Sequence, residues 1–163
     1  MEFVIRMPRL AIASDHAGYS AKEAIKDHLR RLKYEVEDFG TAGDDPVDYP
    51  DFIYPAARSV AEGRNQYGIV LGGSGNGESM VANKVTGVRC AVCWNELSAQ
   101  WAKEHNNANM IAIGARLVST GVAIEIVDTW LGALFLGGRH VCRIEKMENL
   151  ANNSTNACNG GSA

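Results

Sequence analysis

The sequence is poor in the features that mark several classes of protein. Its 163 residues carry a net charge of −3, so there is no excess of basic residues to neutralise nucleic-acid phosphates. No run of about 18 uncharged apolar residues occurs, which argues against a membrane-spanning helix. The four cysteines do not form the framework of a small disulfide-rich domain. The apolar run near the N-terminus is too short for a signal peptide, and we expect a cytoplasmic protein without nucleic-acid or membrane partners.

What the sequence does contain is an alternation of short apolar runs and amphipathic segments. Hydrophobic residues make up 46% and charged residues 21%, as in an ordinary globular protein. Strands are predicted at residues 10–13, 34–39, 68–71, 89–94 and 110–113, and helices at 20–33, 51–62, 96–104, 119–135 and 140–150, with a further helix beginning near Glu78. This alternation predicts an α/β fold: a three-layer α/β/α sandwich around a five-stranded parallel, Rossmann-like sheet, with an extra C-terminal helix. We expect one domain over residues 1–150 and a flexible Asn/Ser/Gly-rich tail over 151–163.

The most informative stretch is the glycine-rich run at residues 72–77, which follows an apolar strand and precedes Glu78. It lacks the glycine spacing of a dinucleotide-binding loop, and Glu78 stands where a triphosphate-binding loop needs a lysine. Backbone N–H groups at a helix N-terminus stabilise developing negative charge, and an adjacent carboxylate can move a proton. The pattern therefore favours a site that stabilises an oxyanion beside a base. The structural alternative is a tight strand-to-helix turn with an exposed glutamate in the first turn.

Polar residues at the ends of other predicted strands belong to the same edge of the sheet. Ligands of parallel sheets bind at the carboxyl ends of the strands, where Asp15 and His16 follow the first strand and Arg116 follows the fifth. Arg139 and Arg143 are four residues apart, share a helix face and form a candidate phosphate site. Each has a structural alternative: a helix cap for Asp15, a solvated loop position for His16, a salt bridge for Arg116 and a solvated basic face for the arginine pair.

His105 and Asn106 lie in the turn that enters the fifth strand, at the opposite edge of the predicted sheet. Either the end of the fourth helix curls over the sheet, or these two residues serve the site of a neighbouring subunit. An ordinary helix C-terminus is the structural alternative. The fifth predicted helix is apolar nearly all round, which is typical of a helix buried against another chain. We therefore expect a homodimer with this helix in or beside the interface.

Cys90 and Cys93 have the C-x-x-C spacing of some redox and metal sites. They lie in a predicted strand, however, where residues three apart face opposite sides of the sheet. We expect both to pack in the core. The four cysteines and four histidines show no spacing typical of metal ligands either.

Several motifs, taken in order, resemble the B-type ribose-5-phosphate isomerases, whose family also holds the galactose- and allose-6-phosphate isomerases. The likeness covers nearly everything from residue 10 to residue 150 and excludes the tail. The matching segments are Ser14-Asp15-His16-Ala17-Gly18, Gly72-Gly73-Ser74-Gly75-Asn76-Gly77-Glu78, Ala82-Asn83-Lys84, Glu104-His105-Asn106-Asn107-Ala108-Asn109, Ile113-Gly114-Ala115-Arg116, Arg139-His140 and Arg143.

This resemblance implies an intramolecular oxidoreductase that interconverts D-ribose 5-phosphate and D-ribulose 5-phosphate through an enediolate, in the non-oxidative branch of the pentose phosphate pathway. It also implies a homodimer with shared active sites and chemistry without a metal or a cofactor. Glu78 would move the proton between C1 and C2, and Asp15 and His105 would assist ring opening. The substrate-binding positions would be the N–H groups of Gly73, Gly75, Asn76 and Gly77 and the Ser74 hydroxyl at the enediolate, Asn106 at the sugar hydroxyls, and His16, Arg116, Arg139 and Arg143 at the sugar phosphate, some of them from the second subunit.

One departure from the family pattern concerns the base. Many members carry a cysteine base at the position of Gly72, and this chain resembles instead the subgroup with a glutamate after the glycines. Glu78 is then the only candidate base in the loop, and thiol-directed inactivation should be weak. The helix N-terminus lowers the pKa of Glu78 whereas closure over a substrate raises it, and the sequence leaves the balance open.

Other functions stay open at this level. An isomerase of allose 6-phosphate, galactose 6-phosphate or a tetrulose 4-phosphate is the alternative within the enzyme class, because pocket depth is not encoded in the spacing of motifs. A nucleotide-binding regulatory module would share the fold and a glycine loop, although Glu78 at the lysine position argues against it. A purely structural dimerisation domain would leave the polar clusters unexplained.

Overall fold

The computed structural model describes residues 7–150 of the chain. The strands are β1 (Arg9–Ser14), β2 (Glu35–Asp38), β3 (Tyr67–Gly72), β4 (Cys90–Cys93) and β5 (Met110–Gly114). The helices are α1 (Tyr19–Arg31), α2 (Pro50–Ala61), α3 (Asn76–Ala82), α4 (Glu96–Glu104), α5 (Thr120–Gly132) and α6 (Arg139–Leu150). The strands form one parallel sheet in the order β2-β1-β3-β5-β4. The predicted α/β fold with a five-stranded parallel sheet is confirmed, and the predicted tail lies outside the described residues.

Two apolar layers cover the sheet, because side chains along each strand point alternately to its two faces. Leu10 and Ile12 of β1 face the layer formed by α1, α4 and α5. Ala11 and Ala13 face the layer formed by α2 and α3. The strands are buried on both faces, which is why they read as continuous apolar runs.

The two cysteines of β4 follow the same alternation. Cys93 packs in the layer of α1, α4 and α5, whereas Cys90 packs in the layer of α2 and α3. Both are buried. The prediction that they pack in the core on opposite faces is confirmed.

The ends of the helices and strands lie within two residues of the prediction, except at the end of α5. The helix was predicted over residues 119–135, but Ser119 is its N-cap and Ala133, with ψ of 153°, already takes extended backbone. The apolar residues after position 132 therefore continue the hydrophobic pattern without continuing the helix.

The interpretation of α5 as a helix without a solvated face was wrong. Glu125 and Asp128 are exposed, together with Gly121 and Gly132. These four positions are spaced by four, three and four residues, so they form one stripe along the helix. Asp128 pairs with His28 of α1 at 2.8 Å, and the opposite side of α5 packs in the core of its own chain. No helix within residues 7–150 has the length and apolar character needed to cross a bilayer.

β4 is an edge strand whose outer side is partly covered by a side chain. The Oδ1 atom of Asn83 accepts the Cys90 N–H at 2.8 Å, and its Nδ2 donates to the Cys90 carbonyl at 2.8 Å. The Ser79 hydroxyl donates to the same carbonyl at 3.0 Å. Asn83 therefore takes the place of a neighbouring strand at Cys90.

The carboxyl ends of the central strands meet at one edge of the sheet. Ser14 of β1 stands beside Leu71 of β3, and Gly72 stands beside Gly114 of β5. The chain leaves these three strands into the loops that carry most of the predicted site residues. The fold thus brings together segments that are far apart in the sequence.

Candidate active site

Glu78 lies in the first turn of α3, at the exit of the glycine loop formed by residues 72–77. The residue is only 4% exposed. A β-carbon added to Gly72 would overlap its carboxylate, so this side chain lies directly against the end of β3. Gly75 has φ of +79°, a left-handed conformation that favours glycine. The alternative of a plain turn with an exposed glutamate is therefore wrong.

The pKa of the Glu78 carboxyl is raised above its ordinary value. Burial is the largest cause, since it disfavours the charged form. The N–H group of Glu78 itself lowers the pKa, the negative charge of Asp15 raises it, and the Gly75 N–H lowers it. Burial in the free protein therefore outweighs the two backbone N–H groups that lower the pKa.

Asp15 and His16 follow β1 and lie beside the glycine loop. The Asp15 N–H donates to the Leu71 carbonyl at 3.2 Å, and its Oδ1 accepts the Gly18 N–H at 3.0 Å. His16 accepts the Val47 N–H at its Nδ1 at 3.2 Å. Because Nδ1 is the acceptor, a neutral His16 carries its proton on Nε2 and offers it as a donor.

Arg116 and Ser74 complete the group at this edge. Arg116 lies over the loop: a β-carbon added to Gly73 would stand 3.6 Å from its Cδ and 3.7 Å from its Nη1. Among residues 7–150, no acidic side chain forms an ion pair with Arg116, so the salt-bridge alternative has no support there. The Ser74 hydroxyl accepts the Asn76 N–H at 3.3 Å.

A small cavity opens next to the loop. It has a volume of about 230 Å³, and Ser74 and Asn76 line it together with the exposed Trp94 and Leu117. A larger cavity of about 460 Å³ lies between α6 and the segment before β4, with Asn106 at its wall. Glu78 lines neither cavity, so the size of a cavity alone does not identify the position of the candidate base.

His105 and its neighbours form a second group at the other end of the sheet. His105 is the C-cap of α4. Its ring stacks on that of Trp101, with centroids 5.7 Å apart, and on that of His140, with centroids 4.6 Å apart. Arg139 and Arg143 flank His140 in the first turns of α6. Burial lowers the pKa of His140, and the charges of His105 and the two arginines lower it further.

The structure brings the predicted site residues together in two groups. Within a single chain these two groups do not meet. β5 separates them: at about 3.3 Å per residue, its ends Met110 and Gly114 are about 13 Å apart. The glycine-loop group consists of Asp15, His16, Gly73, Ser74, Gly75, Asn76, Gly77, Glu78 and Arg116. The histidine group consists of His105, Asn106, Arg139 and Arg143. Of the two arrangements left open by the sequence, α4 does not curl over the sheet.

A network around Arg89 fixes the backbone of the histidine group. The Arg89 guanidinium donates to the carbonyls of Asn106 at 3.1 Å and Asn107 at 2.9 Å, and pairs with Glu148 of α6 at 2.8 Å. Asn107 has φ of 43°, which asparagine tolerates better than most residues. The Asn109 Oδ1 accepts the Arg89 N–H at 2.8 Å. Asn107 and Asn109 are therefore explained by loop geometry, and Arg89 was missed because its partners are remote in sequence.

Tyr49 is a second residue that the sequence did not identify. Its ring lies against the glycine loop, since a β-carbon added to Gly77 would stand 2.8 Å from Cζ and 2.9 Å from the hydroxyl oxygen. Nothing in the local sequence distinguishes this tyrosine from a core aromatic. It forms a wall beside the turn that carries Glu78.

Comparisons with known proteins agree with this arrangement. The family model described as Ribose/Galactose Isomerase matches residues 10–147. The chain is 42% identical over 139 residues to ribose-5-phosphate isomerase B of Escherichia coli, a match that covers 85% of this chain and 93% of the relative. It is 41% identical over 143 residues to a D-erythrulose-4-phosphate isomerase of Pectobacterium atrosepticum, covering 86% of this chain and 93% of the relative.

A solved structure gives the same result. The ribose-5-phosphate isomerase B of Clostridium thermocellum superposes with a TM-score of 0.88 at 48% identity, covering 89% of this chain and 98% of that chain. The family match spans both groups of site residues. The chain therefore belongs to the ribose/galactose isomerase family, as its motifs predicted, and it is a sugar-phosphate isomerase.

Proposed function

We propose that the protein interconverts D-ribose 5-phosphate and D-ribulose 5-phosphate by proton transfer through an enediolate, with Glu78 as the base. The observation that carries this proposal is the buried Glu78 carboxylate with a raised pKa, held inside a glycine loop at the carboxyl edge of the sheet. Relatives that act on ribose 5-phosphate, by their names, match over most of the chain. The step needs no metal or cofactor in this scheme.

In the aldose, Glu78 removes the proton from C2 and returns it to C1, while O1 gains a proton and O2 loses one, so that the carbonyl moves from C1 to C2. The electrons of the C–H bond form the C1–C2 double bond, and negative charge develops on O1. N–H groups of the glycine loop and the Ser74 hydroxyl stabilise this oxyanion. A carboxyl with a raised pKa is a stronger base than a solvated one and therefore suits the weakly acidic C–H group.

The remaining roles follow from the chemistry of each side chain. Asp15 and His105 assist opening of the furanose ring, and Asn106 binds sugar hydroxyls. The Nε2–H of His16 and the guanidinium groups are donors for the phosphate, where bidentate contacts are strongest. The donors at this subsite are His16, Arg116, Arg139 and Arg143.

The proposal includes a homodimer that completes each site. The two groups of site residues lie at opposite ends of one sheet, so a second copy has to bring its histidine group to the glycine loop. A two-fold axis would do this twice and give two equal sites. Exposed apolar side chains near the loop support a contact there; they are Met80, Trp94, Leu97 and Leu117.

Subunit mixing tests the shared site. Glu78→Gln and His105→Ala should each be nearly inactive alone, because each removes one half of every site. A mixture refolded at equal amounts should regain about a quarter of wild-type activity, since half of the dimers are mixed and each has one intact site. Mixed dimers without activity would overturn the shared site, and a monomer in sedimentation would overturn the dimer.

A second substrate class has a specific observation in its favour. The Pectobacterium relative, at 41% identity, is named for D-erythrulose 4-phosphate. Assays of the purified enzyme on ribose 5-phosphate, allose 6-phosphate, galactose 6-phosphate and erythrulose 4-phosphate separate the candidates. We expect the highest kcat/KM with ribose 5-phosphate; a higher value with another of these substrates would reassign it.

A further inference from the structure

We propose that Gly72 is a positioning residue for the base: its missing side chain is the space in which the Glu78 carboxylate stands. This inference rests on the proposed role of Glu78. It assigns a function to a residue at the end of β3 that touches no substrate in the mechanism above. It also explains why the carboxylate is buried against the strand and not directed to solvent.

The overlap is specific to this pair of residues. Of the glycines in the described part of the chain, Gly72 is the one whose added β-carbon meets Glu78. A β-carbon on the neighbouring Gly73 would stand in ordinary contact with Arg116, at 3.6 Å. A β-carbon on Gly43 or Gly132 would meet nothing within 4 Å.

The strand cannot move aside to relieve such an overlap. β3 lies between β1 and β5 in the middle of the sheet. The Gly72 carbonyl accepts the Ala115 N–H at 2.8 Å, and the preceding Leu71 carbonyl accepts the Asp15 N–H at 3.2 Å. Moving Gly72 would break contacts to both neighbouring strands.

The helix that carries Glu78 is fixed as well. The Ser79 hydroxyl donates to the Cys90 carbonyl at 3.0 Å, and the Asn83 amide bonds both backbone groups of Cys90 at 2.8 Å. Both backbones are held, so a methyl group at position 72 would displace the flexible Glu78 side chain instead. The carboxylate would then lose its burial.

The backbone at position 72 itself accepts a side chain. Gly72 is absent from the described residues with positive φ, so alanine is not strained there by its own conformation. A defect of Gly72→Ala would therefore come from the contact with Glu78. This separates Gly72 from Gly75, where φ of +79° disfavours any side chain.

Kinetics of Gly72→Ala test the positioning role. We expect kcat to fall at least 100-fold with KM within threefold of wild type, because the phosphate contacts stay in place. The acidic limb of the pH–kcat/KM profile should move to lower pH, since a displaced carboxylate is solvated and its pKa returns towards its ordinary value. Gly132→Ala, at an open position, should match wild type. A Gly72→Ala enzyme with wild-type kcat and pH profile would overturn the proposal.

A stability cycle tests the contact independently of activity. Gly72→Ala should shift Tm at pH 7 by a few degrees in the presence of Glu78, because it moves the carboxylate out of its buried position. Combined with Glu78→Ala, which leaves room for the added methyl group, the same substitution should change Tm by less than 1 °C. An equal loss in both backgrounds would show that the methyl group collides with something else and would overturn the proposal. If the cycle shows the coupling but the wild-type enzyme isomerises no sugar phosphate, the contact stands and the proposed function of Glu78 falls.

Discussion

The imidazole rings of His105 and His140 lie face to face, with centroids 4.6 Å apart and planes 9° apart. Burial and the charges of its neighbours lower the pKa of His140, which favours the neutral form of its ring at pH 7. The His105 ring also stacks on Trp101, so His140 and Trp101 together restrict its plane.

The stack predicts different outcomes for two substitutions at position 140. His140→Ala removes the ring and should lower kcat about tenfold, because His105 loses its orientation. His140→Phe keeps a planar ring without a charge and should retain most of the activity. Steady-state kinetics on ribose 5-phosphate decide this, and equal losses in the two variants would contradict a role through stacking.

Substitution of the base should separate activity from stability. Glu78→Gln should fold normally and lose isomerase activity by several orders of magnitude, since an amide cannot accept the proton. The folded pKa of Glu78 lies above its unfolded value of 4.5, so the folded state binds the proton more tightly and wild-type stability falls as pH rises above about 4.5.

Glutamine carries no charge to bury, and Glu78→Gln should therefore raise Tm by a few degrees at pH 7. The difference should shrink as the pH approaches 4.5. Activity within tenfold of wild type would remove Glu78 from the role of base, whatever the thermal result. Circular dichroism spectra of wild type and Glu78→Gln at pH 7 and pH 4.5 check that both proteins are folded.

The arginine pair of α6 should act on binding more than on the chemical step. Arg139→Ala should raise KM for ribose 5-phosphate at least tenfold with kcat within threefold, because it removes a phosphate contact made in both the ground and the transition state. Arg30→Ala, which removes an exposed arginine at the end of α1, is the matched control and should leave both constants unchanged. A kcat effect larger than the KM effect would contradict this role.

Lys103 gives a prediction about stability at alkaline pH. Its ammonium lies 3.7 Å from the centre of the Tyr67 ring and 4.8 Å from that of Trp130. Burial lowers the pKa of Lys103 to about 8, with a smaller contribution from the charge of Arg89. The folded state therefore binds fewer protons than the unfolded state between about pH 8 and 10.5, and this residue's contribution makes stability rise with pH across that window.

Lys103→Met should raise Tm at pH 7 by a few degrees, because it removes a buried charge and keeps the chain length. The advantage over wild type should decline as the pH approaches 10. Urea unfolding of both proteins from pH 7 to pH 10 measures the difference. A variant that is less stable than wild type at pH 7 would show that the aromatic contacts outweigh the burial of the charge.

The cysteines of β4 should be chemically inert in the folded protein. Burial raises the pKa of Cys90 and Cys93 to about 12, so almost no thiolate is present at neutral pH. Iodoacetamide at pH 7.5 should leave the activity unchanged, and mass mapping should find both residues modified only after denaturation. Rapid loss of activity with alkylation of either residue would contradict both their burial and the assignment of the base to Glu78.

The sequence predicts the fold well because most strands are short apolar runs and most helices have an amphipathic period. It also predicts that Asp15, Glu78 and Arg116 meet, because parallel strands place their carboxyl ends together. The sequence-based description of α5 was wrong, because most residues of this helix are apolar and yet four exposed positions form a stripe along it. The role of Gly72, the ring of Tyr49 and the network of Arg89 could not be predicted, since each depends on an approach between segments that have no shared spacing.

Asn83 has a consequence for how two copies of this chain can meet. By saturating both backbone groups of Cys90, its amide removes the hydrogen bonds through which a foreign strand would extend the sheet at that point. Association on this flank must then proceed through side chains such as Trp94, whose fit depends on shape. At Cys90 the edge of β4 therefore offers no backbone template from which a fibre could grow.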